Sequence, residues 1–595
     1  MIDPPHITPA RRTRSRSVRD RLATWLISAC GIGVIVAVMA IGVFLAVEVM
    51  PLFTSPDVET RETSQAPGSL VRSWHITSDA LPTTGSGEPQ GLTARGEGLL
   101  WRAEGRHLEV VRLGEEASNR VERVTAVDAD RRITALAVLA GGRALIVGDD
   151  QGGLQRWVSG PDSPVPQATG PYRTPHRAAI QRILPLPEQR LFLAWDADDR
   201  LALYQAITGH VWSGTAPQGE PLGIDEQGQL WWGDDSGIQR LTIDAEHAEV
   251  SLGSVWLAQH YEGHAEPQHR WQASVSQASD EPRFGMTPLA WGTLKAATYA
   301  LLFAIPLGLG AAIHSACFMS HRLRHRLKPT LEMMEAMPGV VIGFIAGLVL
   351  APYVDRHLAG ALSLLVILPL GMLAGGWLWS RLTPRLRHAL PLGWAGVWLM
   401  PWLALLVVLA MTVSPGIERL AFEGDLPSWL EREMGLDYAS RNALIIGVAM
   451  GFAVIPTIYA LAEDALSGVP ASLGEGAQAL GATRWQTLWR VVLPAASPGI
   501  FSAVMIGAGR AVGETMIVLM ATGNTAILSA SPLDGLRSLA SNIAIELPEA
   551  AVGGTHYRLL MFSALVLFAF TFIANTLAEW VRTRLDRRYR RLEGR

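Results

Sequence analysis

Eight long apolar stretches alternate with polar segments along the chain. A membrane-spanning helix needs about 20 mostly apolar residues, and each stretch is about that long. The first stretch has no small-residue cleavage site and is too long for the core of a signal peptide, so we expect it to remain as an anchor. The predicted spans are about Leu22–Met50, Leu289–Phe318, Leu331–Val354, Ala359–Trp379, Leu392–Val413, Ala443–Leu461, Gly499–Thr522 and Leu559–Val581.

Basic segments fall in alternate loops between these spans. They cover residues 11–21, 322–328, 381–387 and 582–591, whereas the loop that contains Glu423, Asp425 and Glu431 is acidic or mixed. Cytoplasmic loops carry an excess of Lys and Arg. Because eight spans place all four basic segments on one side, we expect both termini in the cytoplasm.

In residues 55–285, short segments in which apolar and polar residues alternate take the place of the long apolar stretches. An apolar strand, a Gly/Asp turn and an alternating strand recur four times, and Asp and Gly suit hairpin turns because they tolerate positive φ. The corresponding positions are 46, 47 and 37 residues apart, close to the roughly 40–45 residues of a propeller blade. We therefore expect an all-β, propeller-like extracytoplasmic domain, with a β-sandwich as the alternative. The corresponding positions are Leu108, Leu154, Leu201 and Ile238.

These patterns predict an α-helical multi-pass membrane protein with an inserted β domain. Residues 1–54 form the N-terminal tail and first span, residues 55–285 the insert, residues 286–585 the membrane core, and residues 586–595 a basic tail. Within the core, we expect an additional helix pair at 359–413 and a cytoplasmic loop at 463–498.

Composition agrees with a membrane protein and excludes several other classes. The 595 residues are 49% hydrophobic, with a formal net charge of −4 that gives no reason to expect nucleic-acid binding. Both cysteines, Cys30 and Cys317, lie in apolar runs, so a disulfide framework is not expected. The insert's histidines lack the close spacing of metal ligands. We therefore expect no metal site. The sequence also contains no nucleophile–base pattern, so we do not expect an enzyme.

The loop at 463–498 contains the segment EGAQALGATRWQTLWRVVLP, which predicts two short helices around a glycine turn. It resembles the coupling motif of bacterial ABC importer permeases, with Gly476 in place of one alanine. The resemblance implies that this segment docks on an ATPase subunit. The chain has no Gly-Lys dipeptide and hence no phosphate-binding loop, so ATP and Mg would be bound by that partner and this chain would hold no cofactor. The matching residues are Glu475, Gly476, Ala477, Gly481, Leu493 and Pro494.

The predicted seventh span contains Arg510 and Glu514, four residues apart. An ionisable residue within a span is a candidate functional residue, because it is costly unless it is paired or faces a polar cavity. The planar guanidinium suits oxyanions, since it donates two parallel hydrogen bonds. Alternatively, the two residues pair along one helix face and only hold helices together. Further candidate donors to a substrate are Thr515, Thr522 and Asn524.

Three segments resemble the permeases of phosphate-specific ABC importers. They are RAVGETMIVLMATGN from Arg510, FGMTPLAWGTLKAATYALLFAIPLGLGAAI from Phe284, and LEMMEAMPGVVIGFIAGLVLAP from Leu331. The likeness covers the first span and about residues 284–352 and 440–585, and it favours the C-type subunit. It implies ATP-driven import of inorganic phosphate across the lipid bilayer of a bacterial inner membrane, with a second permease, two ATP-binding subunits and a periplasmic phosphate-binding protein.

The chain departs from that family, whose usual architecture has six spans, in its β insert and its additional helix pair. Two alternatives therefore remain open. The first is a permease for another oxyanion, such as sulfate or molybdate, because arginine chemistry alone does not distinguish these anions. The second is a membrane sensor or scaffold with a degenerate transport core.

Overall fold

The computed structural model describes residues 13–63, 92–96, 99–112, 121–139, 142–158, 166–186, 190–225, 229–234, 237–262, 264, 266–273, 281–382 and 395–593. A bundle of long helices carries a set of small antiparallel sheets after its first helix. The first residues of the predicted span Leu392–Val413, and the basic residues Arg11, Arg12, Arg385 and Arg387, lie outside the described residues.

The insert consists of short strands that form four four-stranded sheets within the described residues. Three sheets are meanders, β2–β5, β6–β9 and β10–β13. The fourth orders its strands β14, β15, β16 and β1, so the first strand of the insert completes the last sheet. The strands are β1 (Asp57–Thr63), β2 (Leu92–Gly96), β3 (Leu99–Glu104), β4 (His107–Arg112), β5 (Val121–Thr125), β6 (Ile133–Val138), β7 (Ala144–Asp149), β8 (Leu154–Val158), β9 (Gln167–Pro171), β10 (Ile180–Pro185), β11 (Leu191–Asp196), β12 (Arg200–Gln205), β13 (Gly209–Thr215), β14 (Glu220–Ile224), β15 (Leu230–Asp234) and β16 (Gly237–Asp244), followed by the two-residue pair β17 (Trp271–Gln272) and β18 (Arg283–Phe284).

The fourfold sequence repeat is confirmed by the position of its members. Each of the four aligned residues lies in the strand that starts after the Gly/Asp turn, namely β4, β8, β12 and β16. Two of these turns have the same carboxylate cap. Asp149 Oδ1 accepts from the backbone N–H of Gln151 at 2.9 Å and of Gly153, and Asp196 Oδ1 accepts equivalently from Asp198 and Arg200 at 3.0 and 2.9 Å.

Eight helical segments in the described residues are long and apolar enough to cross a membrane, which confirms the predicted number. They are Arg21–Phe53, Thr287–Cys317, Gly339–Arg356, Leu358–Arg381, Leu399–Ala421, Ala443–Ser467, Arg484–Gly513 and Thr555–Arg584. The helices are α1 (Thr13–Val49), α2 (Leu252–Trp256), α3 (Thr287–Cys317), α4 (His321–Glu335), α5 (Gly339–Ile345), α6 (Ala351–Arg356), α7 (Leu358–Arg381), α8 (Ala395–Ala421), α9 (Leu426–Met434), α10 (Ala443–Ser467), α11 (Ala471–Ala479), α12 (Arg484–Thr487), α13 (Leu493–Gly513), α14 (Met516–Ala521), α15 (Leu539–Glu546) and α16 (Thr555–Glu593).

The predicted third span, Leu331–Val354, is wrong at its start. Residues 331–335 belong to the separate polar helix α4, and the spanning segment begins only at Gly339. Pro338 explains the break. Its backbone is extended, at φ −61° and ψ 128°, and it lacks the N–H that a continuing helix would use.

Small residues bring α3 and α10 into close contact at the centre of the bundle. A Cβ placed at Gly447 would lie 2.8 Å from Tyr299 Cβ, and one at Gly451 would lie 3.0 Å from Phe303 Cβ. Helices in membranes associate through such small residues because packing, rather than the hydrophobic effect, holds them together. This pair therefore forms the rigid centre against which the functional helices are placed.

The additional helix pair is α7 and α8, which pack against one another. Ser414 Oγ accepts from the Gly360 N–H at 2.9 Å, and Trp402 Nε1 donates to the Gly371 carbonyl at 3.1 Å. The described helices of this pair begin at Leu358 and end at Ala421, so the pair extends beyond the predicted range of 359–413.

The insert is fixed to the helical bundle through the buried carboxylate of Glu546 in α15. Trp271 Nε1 of the insert donates to both carboxylate oxygens at 3.0 Å, His556 Nε2 lies 2.8 Å from one of them, and Arg537 pairs with the other at 2.8 Å. Burial acts to raise the pKa of Glu546, but the His556 and Trp271 hydrogen bonds and the Arg537 charge outweigh it and hold this pKa below its usual value. The carboxylate therefore stays ionised and joins the two parts.

Candidate anion site and coupling segment

The predicted span Gly499–Thr522 is not one continuous helix. Helix α13 ends at Gly513, Glu514 is extended at φ −69° and ψ 118°, and the short helix α14 starts at Met516. Glu514 Oε1 lies 3.4 Å from the Ile517 N–H in the first turn of α14. A carboxylate is favoured at that place because unpaired backbone N–H groups point towards it.

Arg510, in the last turn of α13, contacts two other helices. Its Nη1 donates to Glu335 Oε1 at 2.9 Å and to Thr457 Oγ1 at 2.7 Å, and its Nη2 donates to the Glu335 carbonyl at 3.3 Å. Thr457 donates in turn to Glu335 Oε1 at 2.9 Å. The alternative in which Arg510 pairs locally with Glu514 is wrong, because the helix that would align these residues ends between them.

Sequence reasoning missed Glu335 and Thr457. Glu335 is the last residue of α4, and Thr457 lies in the middle of α10. The rule that selected Arg510 would also have selected Glu335, since it lies inside the predicted third span. Thr457 gave no comparable signal, because a lone threonine in an apolar helix usually bonds to its own backbone.

The Arg510 pair is only partly enclosed. The side chains of Arg510 and Glu335 are 33% and 40% exposed, whereas Thr457 is buried. A guanidinium has five N–H donors. The three contacts above leave two of them, Nε–H and one Nη2–H, without a partner among the described residues. These two donors are therefore available to an anion.

The remaining predicted pathway residues form local hydrogen bonds. Thr515 Oγ1 donates to the Gly513 carbonyl at 3.3 Å. Thr522 Oγ1 lies 2.9 Å from Asn524 Oδ1 and accepts from the Asn524 N–H at 3.0 Å. Asn524 has a positive φ of 51°, which asparagine tolerates better than most residues. These contacts turn the chain after α14 and do not bring Thr522 or Asn524 to Arg510.

The coupling segment, residues 471–494, has the predicted helix–glycine turn–helix form. Helix α11 is followed by Gly481 at φ +90°, and Thr483 then caps α12 in a reciprocal pair with Gln486. The second helix is not a separate short helix, so the prediction is wrong in its length. A π turn, Leu488–Val492, continues directly into α13, where Pro494 occupies the first turn. The wider π turn accommodates this proline, which has no N–H to donate within the continuous helix.

The coupling segment presents apolar side chains to its surroundings. Leu480 is 92% exposed, and Trp485 and Trp489 are also exposed, with their rings 5.7 Å apart in an edge-on arrangement. Helix α11, which contains Glu475, Gly476 and Ala477, has no buried residue. An exposed apolar patch of this kind marks a protein-interaction surface. These two tryptophans in a predicted cytoplasmic loop could have indicated the interaction surface from the sequence, but they are not part of the coupling motif.

Helix α4 connects the coupling segment to the Arg510 site. At one end, buried Glu463 of α10 accepts from Lys328 Nζ at 3.1 Å and from Arg324, and Lys328 also pairs with Asp464 at 2.6 Å. At the other end, α4 supplies Glu335. Helix α11 follows α10 after three residues, so the coupling segment and α4 are both joined to α10.

Comparisons with known proteins show what about half of this chain resembles. Residues 304–591 match the family of binding-protein-dependent transport system inner membrane components. The probable ABC transporter permease protein YqgH of Bacillus subtilis is 26% identical over 305 residues, which cover 51% of this chain and 74% of that protein. The phosphate transport system permease protein PstC of Haemophilus influenzae is 29% identical over 295 residues, or 50% and 75% of the two chains.

A second phosphate transport system permease protein, PstC 1 of Mycobacterium tuberculosis, is 27% identical over 311 residues, which cover 51% of this chain and 74% of that protein. The predicted resemblance to phosphate-transport permeases is therefore confirmed. A solved inward-facing structure of the MetNI methionine ABC transporter overlaps 50% of this chain and 93% of its own at 14% identity. Its TM-score of 0.28 is too low to establish a shared fold.

Proposed function

We propose that the chain, whose residues 304–591 match the family of binding-protein-dependent transport system inner membrane components, is the C-type permease subunit of an ATP-driven importer of inorganic phosphate. The relatives named as phosphate transport permeases support this substrate. The observation that carries the proposal is Arg510, a partly exposed guanidinium inside the bundle with two donors that have no partner among the described residues. Arginine matches the geometry of a tetrahedral oxyanion.

Glu335 gives this site a means of release. An arriving phosphate competes with the Glu335 carboxylate for the same guanidinium, and two anions beside one cation repel each other. Phosphate is bound when Glu335 is drawn away and expelled when it returns. Since α4 carries Glu335 and is ion-paired to α10, docking and closure of the ATPase subunits on the coupling segment would set its position.

The proposed assembly contains a second permease, two ATP-binding subunits and a periplasmic phosphate-binding protein. ATP and Mg are bound by the ATP-binding subunits. The basic segments support an orientation with both termini and the coupling segment in the cytoplasm, and the insert in the periplasm. The exposed patch of Leu480, Trp485 and Trp489 then faces the ATPase.

The insert is proposed to be a four-bladed β-propeller. Its four sheets are of equal strand number, and β1 completes the fourth sheet, the kind of closure that joins the two ends of a ring. The repeated carboxylate caps of Asp149 and Asp196 support equivalence of the blades. In this position the domain lies where a periplasmic binding protein must approach.

Uptake of labelled phosphate tests the function. Cells whose other phosphate importers are deleted are compared with and without this chain and its partners, and then with Arg510→Ala and Arg510→Lys. Arg432→Ala is the matched control, because Arg432 forms an exposed pair with Glu423. We expect uptake to require the chain, to be lost in Arg510→Ala and to stay normal in the control.

Two results would refute the proposal. Normal phosphate uptake in Arg510→Ala would remove the guanidinium from the pathway. Uptake of labelled sulfate or molybdate in place of phosphate would assign the chain to another oxyanion. Arg510→Lys keeps the positive charge but loses the two parallel N–H donors of the guanidinium. It therefore separates simple charge compensation from bidentate recognition of the anion.

A further inference from the structure

Lys295 is a buried cation that the proposed site does not use. It lies two turns into α3 and is one of only two lysines in the chain. The other, Lys328, is ion-paired to Glu463 and Asp464. The Lys295 side chain is 5% exposed, and its ammonium has no hydrogen-bond partner among the described residues. An unpartnered buried ammonium is costly, so its retention needs a reason.

A loop at residues 522–538, here called the covering loop, lies directly over Lys295. One turn to either side on the same face of α3, Trp291 Nε1 donates to the Ser529 carbonyl at 2.8 Å and Tyr299 Oη to the Ala530 carbonyl at 3.1 Å. The Asp534 carboxylate attracts the ammonium but accepts its hydrogen bond from Ser529. Lys295 is therefore held under the loop and near a carboxylate without being bonded to it.

The depth of Lys295 differs from that of the Arg510 site. Gly308 of α3 lies against Ile458, the neighbour of Thr457, with a placed Cβ 3.0 Å from Ile458 Cγ2. Residues 295 and 308 are thirteen positions apart, which at 1.5 Å per residue is about 20 Å along the helix. Lys295 lies towards the end of the bundle that carries the insert, and Arg510 lies deeper.

We propose that Lys295 is a second oxyanion-binding residue, at the insert end of the pathway, which is exposed when the covering loop is displaced. The inference rests on the proposed phosphate transport. Hydrogen phosphate would accept hydrogen bonds from the Lys295 ammonium. The Asp534 carboxylate, which attracts the same ammonium, would compete with it. Two weak sites in series let an anion be captured and then passed on, whereas one tight site would retain it.

Three variants test this role in cells whose phosphate uptake depends on the chain, with KM and maximal rate corrected for the amount in the membrane. Lys295→Met keeps the length of the side chain and removes its charge, and we expect KM to rise about tenfold, the loss of one charge-assisted contact. Lys295→Arg should restore most of the affinity. Asp534→Asn should lower KM, because it removes the competing carboxylate. Thr298→Val is the matched control, since Thr298 is exposed and bonds only to its own helix at Leu294.

The sign of the Asp534→Asn effect separates substrate binding from a structural pair. If Lys295 and Asp534 only hold the loop closed, Lys295→Met and Asp534→Asn both raise KM, and the proposal is overturned. An unchanged KM in Lys295→Met also overturns it. Failure of the transport proposal itself is recognised separately, because cells that lack other phosphate importers would then take up no labelled phosphate even with the unmodified chain.

Discussion

Replacement of Glu249 by Gln should make the protein more stable at alkaline pH. Glu249 lies between β16 and α2, where the insert meets the start of α16. Burial raises the pKa of Glu249 from an ordinary value of 4.5 to about 7, against the opposing effect of a hydrogen bond with Thr555. Its ionised form is thus disfavoured in the folded protein, and glutamine stays neutral at every pH.

The raised pKa fixes the sign and the size of the effect. A raised pKa means that the folded protein holds this proton better than the unfolded chain does. The stabilisation is therefore fully present below pH 4.5 and is lost as pH rises through about 7. The rise of this pKa from 4.5 to about 7, at about 1.4 kcal/mol for each pH unit, gives an upper bound of about 3.5 kcal/mol lost above pH 8.

Thermal unfolding of the detergent-purified protein between pH 5 and pH 8.5 measures this effect. The Tm difference between Glu249→Gln and wild type should grow with pH and then level off. His247, whose pKa is lowered by burial, has the opposite sign and destabilises below its ordinary value of 6.5, but it is present in both proteins. Glu62→Gln, at an exposed position of β1, is the control. A Tm difference that does not vary with pH would refute the reasoning.

Two glycine substitutions give further tests, each with a matched glycine. Gly481→Ala should cost about 1–2 kcal/mol in the coupling turn, because Gly481 has a positive φ and an added Cβ would contact no other atom. It should also reduce the phosphate taken up per ATP hydrolysed. Gly476→Ala should have neither effect, because Gly476 is helical and its surroundings are equally open. Gly292→Ala would drive a Cβ into the Arg537 carbonyl oxygen of the covering loop and should lower Tm, whereas Gly310→Ala, in open space on the same helix, should leave it unchanged. Equal effects within either pair would contradict the assigned cause.

The sequence alone was sufficient for features set by local pattern. The number of spans follows from the length of apolar runs, because a bilayer demands a fixed length of helix. The strand repeat at Leu108, Leu154, Leu201 and Ile238 follows from alternation and turn residues. The coupling turn at Gly481 follows because only glycine adopts φ +90° without strain. Each of these signals lies within a few dozen neighbouring residues.

Only the tertiary structure decided which residues meet. Arg510 pairs with Glu335, 175 positions away, because Pro338 ends α4 beside the helix end at Gly513. Lys295 is buried because the covering loop folds back over α3. Partners of this kind depend on how helices pack and where they break. A one-dimensional pattern shows that a charge in the membrane needs compensation, but only the packing in three dimensions supplies the compensating group.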